Sequence, residues 1–137
     1  MHPDQRWAWF VSLAVERFER WSRVVVARGD IGDWIATEIP PLDVCMVWHA
    51  YLLNPHRYAE DCDRVLPKFK AMPPETMLSA VRQIGNISAF VPTETRKRSW
   101  LSQIQTPFDP FESLQSMTTQ GLKCPQCNAT LHVPCHL

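Results

Sequence analysis

The sequence predicts an all-α fold: a compact bundle of about four to five helices followed by a short Cys-x2-Cys hairpin. Three observations carry that prediction. Apolar residues recur at three- and four-residue spacing through most of the chain, the pattern of helices buried on one face. Twelve prolines against four glycines cut the chain into segments separated by proline corners. Only the tail, around "NATLHV", has a composition that favours extended structure. With 137 residues and 45% hydrophobic content, the chain is long enough for one cored domain plus an appendage and short for two domains.

The first helix is read from Asp4 to Ala27. Trp7, Val11, Ala14, Phe18, Trp21 and Val25 lie on one face, and Trp9, Phe10 and Val24 widen it. Glu16, Arg17, Glu19, Arg20 and Arg23 are expected on the remaining, solvated face, and Gly29 is the expected stop. Asp30 to Ile39 is read as a short helical turn. Pro40-Pro41 then opens a second helix, Leu42 to Leu53, because proline suits a first turn whose N–H groups have no helical partner. This helix is almost wholly apolar and is expected to be the buried central element. Asp43, its lone formal charge, sits near the positive end of the helix dipole.

Asn54-Pro55 forces a break, since proline disfavours helical geometry in the residue before it, and Asn54 then caps the next helix. That helix is expected from Pro55 to about Phe69, with Tyr58, Cys62 and Val65 or Leu66 inward and Glu60, Asp63 and Arg64 outward. Pro73-Pro74 starts another, with a stripe of Met77, Ala80, Val81 and Ile84. Thr93 or Thr95 caps a further one, "ETRKRSWLSQI", whose Arg96, Lys97 and Arg98 are read as a solvated face. Residues 1–105 are thus a helical domain, 106–121 a linker or short helix, and 122–137 a separate tail.

Two stretches are rich in reactive residue types. The corner "VWHAYLLNPHRYAEDC" supplies Trp48, His49, His56, Tyr58, Asp61 and Cys62. A zinc or iron site can be drawn from Cys45, His49, His56 and Asp61, but it needs buried polar groups to converge within an apolar helix. The structural alternative is that His49 is buried and donates a ring N–H to a carbonyl or carboxylate, while Cys62 packs as a small hydrophobe. The tail "CPQCNATLHVPCH" supplies Cys124 and Cys127, whose thiolates can share one tetrahedral zinc at about 2.3 Å each. His132, with Cys135 or His136, is the candidate other half. The dithiol letters also suit a redox motif, yet no strand–helix unit frames them as such motifs require.

"PPLDVCMVWHAYLLNPHRYAEDC" resembles a segment of a fungal family of uncharacterised proteins related to plant glycine-rich domain-containing proteins, and "CPQCNATLHVP" is similar to a hairpin that fungal members carry after their helical region. The resemblance implies an α-helical domain with Trp48, His49, Asn54, Pro55, Tyr58, Asp61 and Cys62 as its signature, and it implies no activity. It departs in two places. Relatives continue past the hairpin, where a later Cys can complete a metal site, and Cys135 stands where an aromatic residue is expected. A shortened form is the resulting expectation.

Fourteen basic and fourteen acidic residues cancel, which disfavours nucleic acid as the partner. The charged N-terminus lacks a secretory h-region, and no apolar run is long enough to span a bilayer, so an intracellular protein, cytoplasmic with the nucleus as the alternative, and without a membrane partner is expected. The expected function is an interaction or scaffold module with a protein partner and a structural zinc site in the tail. Whether it is an enzyme stays open. The alternatives are a metal-dependent enzyme using His49 and His56, and a weak single-stranded nucleic-acid binder using the tail with Arg96, Lys97, Arg98 and Lys123.

Overall fold

The structure, a computed structural model, describes residues 2–28, 38–72, 75–116, 119–124 and 126–134. They are mostly helical. Seven helices are present among the described residues: α1 (Pro3–Ala27), α2 (Leu42–Leu52), α3 (Pro55–Arg64), α4 (Pro67–Lys70), α5 (Glu75–Ile84), α6 (Glu94–Ile104) and α7 (Pro110–Ser116). A two-stranded antiparallel ribbon follows, β1 (Thr119–Lys123) with β2 (Thr130–Pro134), in a register that sets Leu122 opposite Leu131 and Gly121 opposite His132. The expected stop at Gly29, the turn from Asp30 and the Pro73-Pro74 start lie at residues outside those described.

Local chemistry accounts for the helix ends. His2 caps α1 by accepting from the Asp4 N–H, and the Gln5 side chain returns to the His2 N–H. The Asn54 side chain accepts from the Arg57 N–H, with Pro55 in the first turn, as expected. Thr93 caps α6 by accepting from the Arg96 N–H at 3.2 Å. Gly85 ends α5 with φ +60, where a side chain is strained, and its N–H bonds the Val81 carbonyl.

The single helix expected from Pro55 to Phe69 is two. Pro67 excludes helical geometry at Leu66, whose φ of −126 and ψ of 51 break the chain between α3 and α4. The break leaves Val65 exposed and carries Leu66 and Phe69 into the core. There Trp21, Trp48 and Phe69 form an aromatic nucleus, with ring centroids 5.3 Å apart for the two tryptophans and 5.7 and 6.2 Å from each to Phe69, both nearly edge-on. Phe18, Val25, Val44, Cys62, Met77, Trp100 and Ile104 surround it.

Two orientation expectations are corrected. α2 is not wholly buried: Asp43, Val44, Cys45 and Trp48 face inward, while Leu42, Met46, His49 and Leu53 are exposed. On α1 the inward face holds Ala14, Phe18, Trp21 and Val25 as read, but also Arg17, while Trp7 is 58% exposed. One interaction accounts for the charge on each of these inward faces. The fully buried Arg17 guanidinium lies 2.7 Å (Nε to Oδ2) from the buried Asp43 carboxylate. It also donates to the carbonyls of Pro107 at 2.6 Å and Phe108 at 2.8 Å and to the hydroxyls of Thr106 and Ser113. The Trp100 ring covers it at 5.3 Å. The stretch from 106 read as a linker or short helix is thereby held on α1 along its first half, with Thr106 and Ser113 buried.

Burial pushes the Arg17 guanidinium down and the Asp43 carboxyl up, each effect opposed by the other's charge. Such a pair stabilises only as a pair, because removing one member leaves the other charged and dry. Replacing Arg17 by Met should therefore cost about 3–5 kcal/mol in urea unfolding, and Asp43→Leu a similar amount, whereas the double variant should lose less than the sum. Additive losses would remove the coupling.

Candidate functional site

The corner separates its reactive residues by direction. α2 points Trp48 inward and His49 outward. The Asn-Pro break then returns the chain so that Tyr58 and Cys62, one turn apart on α3, meet Trp48 from the other side. Tyr51 and Tyr58 stack edge-on at 5.2 Å, and the Tyr51 hydroxyl donates to Asp61, which closes the corner. Burial, reinforced by that carboxylate, pushes the Tyr51 phenol well up.

The metal site drawn from Cys45, His49, His56 and Asp61 is not assembled. His49 is exposed rather than buried against a core acceptor, because α2 gives its inward arc to Asp43, Val44, Cys45 and Trp48. His56 is exposed on the first turn of α3 with its Nδ1 3.7 Å from Glu60. Cys45 packs with Ile39 and Ala80 and donates to the Pro40 carbonyl at 3.4 Å. Among the described residues no group of three or more His, Cys, Asp or Glu side chains is placed to hold a metal ion. Trp48, Tyr58 and Cys62 do come together, on the wall of a cavity of about 300 Å³.

A larger cleft, of about 540 Å³, was not foreseen. Pro40, Pro41 and Leu42 form one side, and Ile84 and Ile87, at and beyond the end of α5, form another. Phe90, Leu101 of α6 and Phe108, before α7, add to the apolar lining. Leu42, Ile87 and Leu101 are exposed although nothing polar explains their presence there. Lys97 pairs with Glu94 at 3.1 Å on its rim, whereas Arg98 and Glu112 make no ion pair among the described residues. Of the basic triplet, Arg98 is exposed as read, but Arg96 is half-buried, and burial lowers its pKa against the pull of Glu38. The signal for the cleft was the density of proline at 40, 41, 92, 107 and 110, which stiffens its walls.

In the tail, Cys124 opens a tight turn. Its N–H bonds the Ala129 carbonyl, its carbonyl accepts from the Asn128 N–H at 2.9 Å, and Asn128 takes φ 60. The backbone N–H groups of Gln126 and Cys127 point at the Cys124 sulfur and, with the Cys127 side chain, lower its pKa. Cys135 and His136 lie outside the described residues, and of His132 the structure describes the backbone alone.

Comparison of the chain with protein-family models, with curated proteins and with solved structures finds no match. No helix among the described residues is long and apolar enough to cross a membrane.

A buried acid, Cys45, and a half-buried one, Tyr58, carry a pH signature. Burial, with Asp43 nearby, pushes the Cys45 thiol from 9.0 up to about 12, and burial together with Cys62 pushes the Tyr58 phenol from 10.0 up to about 12. Both stay protonated in the folded chain at a pH that ionises them in the unfolded one. The folded chain then holds more protons, so stability falls as pH rises from about 9 to 12. The melting temperature should drop across that window, and less steeply in Cys45→Ala. An equal slope in the variant would count against the thiol's share.

Proposed function

We propose that this chain is a helical interaction module that takes a short segment of a protein partner in the cleft between α5, α6 and the approach to α7. The observation that carries the reading is the cleft itself: a stiff, proline-walled groove with exposed Leu42, Ile87 and Leu101 and, at its rim, Arg98 and Glu112, which make no ion pair among the described residues. It suits an extended peptide with one or two apolar anchors flanked by an acidic residue for Arg98 and a basic residue for Glu112. Membership in the fungal family whose signature the corner resembles belongs to the same proposal, as does an intracellular setting. Catalysis at the His49/His56 corner finds no support in side chains that stand apart and exposed.

Selection from a random peptide library tests the cleft without a known partner. Enriched peptides should carry apolar anchors with flanking charges and lose about tenfold or more in affinity for Leu101→Asp, a change on an exposed side chain that leaves the far-ultraviolet spectrum intact. Peptides that bind this variant equally well would overturn the assignment.

A structural zinc ion in the tail is the second part of the proposal, supported by the Cys124 turn. Two thiols sit together on it, and backbone N–H groups aimed at one sulfur favour its thiolate, the form a zinc ion requires. Cys124 and Cys127 would hold the ion, with His132 and Cys135 or His136 as the remaining ligands. Zinc bound there would supply structure to the ribbon and no reaction. Elemental analysis of protein purified without added metal should find about one zinc per chain, lost in Cys124→Ala and in Cys127→Ala. Protein that is metal-free after purification and does not take up added zinc would end this part.

A further inference from the structure

The outer face of α1 is apolar where a solvated helix face would be polar. At about 100° per residue, Asp4, Trp7, Val11, Val15 and Glu19 fall within about a third of the helix circumference. Trp7, Val11 and Val15 are exposed, and the Trp7 ring is braced by stacking on Phe10 at 5.7 Å. Farther along the same face lies an open groove of about 840 Å³, bounded by Val15, Phe18 and Ser22 of α1, by Val47 and Tyr51 of α2 and by the exposed Val65 after α3. Glu19, Arg23 and Asp61 add charge to its lining. The groove shares no residue with the cleft beside α5 and α6, and the interaction reading does not use it.

Knob and groove lie on one helix, about 18 Å apart from Trp7 to Glu19 at about 1.5 Å per residue. That spacing is self-complementary. We propose that this face is the interface of a two-fold symmetric dimer, in which α1 of one copy lies antiparallel to α1 of a second, with the axis passing at the level of Leu13. Val11 then meets Val15 across the axis, Trp7 meets the groove at Glu19, and Asp4 falls beside Ser22 and Arg23, each contact made twice. Charge agrees with that register. Within one chain Asp4 pairs with the exposed His2 at 3.3 Å and Arg23 with the exposed Glu19 at 3.4 Å, surface pairs that cost little to exchange. Turning Arg23 to Asp4 of the second copy frees Glu19 to accept from the Trp7 indole N–H of that copy, so the ring enters the groove with its one donor satisfied. A parallel pairing would set Arg23 against Arg23 and Asp4 against Asp4, with groove facing groove. An unrelated partner would have to bring an aromatic knob and an acid at this spacing, and the chain already carries both.

Sedimentation equilibrium of the full chain under reducing conditions, which keep the exposed Cys127 from cross-linking copies, should show a concentration-dependent species of twice the 15.8 kDa chain mass. Trp7→Ala, on an exposed ring, should weaken association about a hundredfold with the far-ultraviolet spectrum unchanged. Charge swaps fix the register. Asp4→Arg alone and Arg23→Asp alone each set like charges face to face and should weaken association about tenfold. An equimolar mixture of those two variants regains both ion pairs and should dimerise about as strongly as the unmodified chain. A monomer at every concentration up to the solubility limit, which would leave the groove to a different protein, overturns the proposal. So does a dimer that Trp7→Ala leaves intact, or a pair of swapped variants that stay apart when mixed.

Discussion

The buried guanidinium of Arg17 is the constraint on which the rest of this structure depends. A charge this dry persists only when it is paired and hydrogen-bonded, and Arg17 draws its partners from α2 (Asp43), from the 106–108 strap and from α7 (Ser113). Those acceptors are far apart in sequence, so satisfying one side chain fixes the rotation of α1, the inward turn of Asp43 and the path of the chain after α6. With Asp43, Val44, Cys45 and Trp48 turned inward, Leu42 and Met46 stand on the exposed side of α2.

The aromatic nucleus supplies what the polar hub does not. Trp21, Trp48 and Phe69 bury large surfaces edge against face, and they meet because Asn54-Pro55 and Pro67 fold the chain back twice within fourteen residues of sequence. The same two breaks stand Tyr58 and Cys62 beside Trp48 and leave the cavity between them. The geometry of this corner follows from proline placement.

Periodicity and proline made the helices readable: α1, the Asn54 cap, the Thr93 cap and the Met77/Ala80 face follow from residue types within four positions of each other. What could not be read that way was set by contacts between distant segments. Arg17 fits a solvated face by composition, yet it lies three residues after Ala14 and four before Trp21, on the arc that both occupy. A charge on that arc, and a second lone charge on the apolar α2, were the available signal for the pair. Pro67 was also visible and implied the break at Leu66. His49 could not be placed from its neighbours, because an apolar helix with one inward charge has no obvious outward face. The cleft left only its prolines as a signal, since its walls come from four separate segments.

The claim that one buried charge joins the 106–116 segment to the helical body is tested most directly by native-state hydrogen exchange at the Ser113 and Leu114 amides. If the account is right, these amides exchange only through the same opening that exposes the amides of Trp21 and Trp48, with the same free energy and the same dependence on denaturant. Exchange at Ser113 and Leu114 through a smaller opening, while α1 and α2 stay protected, would show that α7 is an appendage and that Arg17 does not hold the fold together.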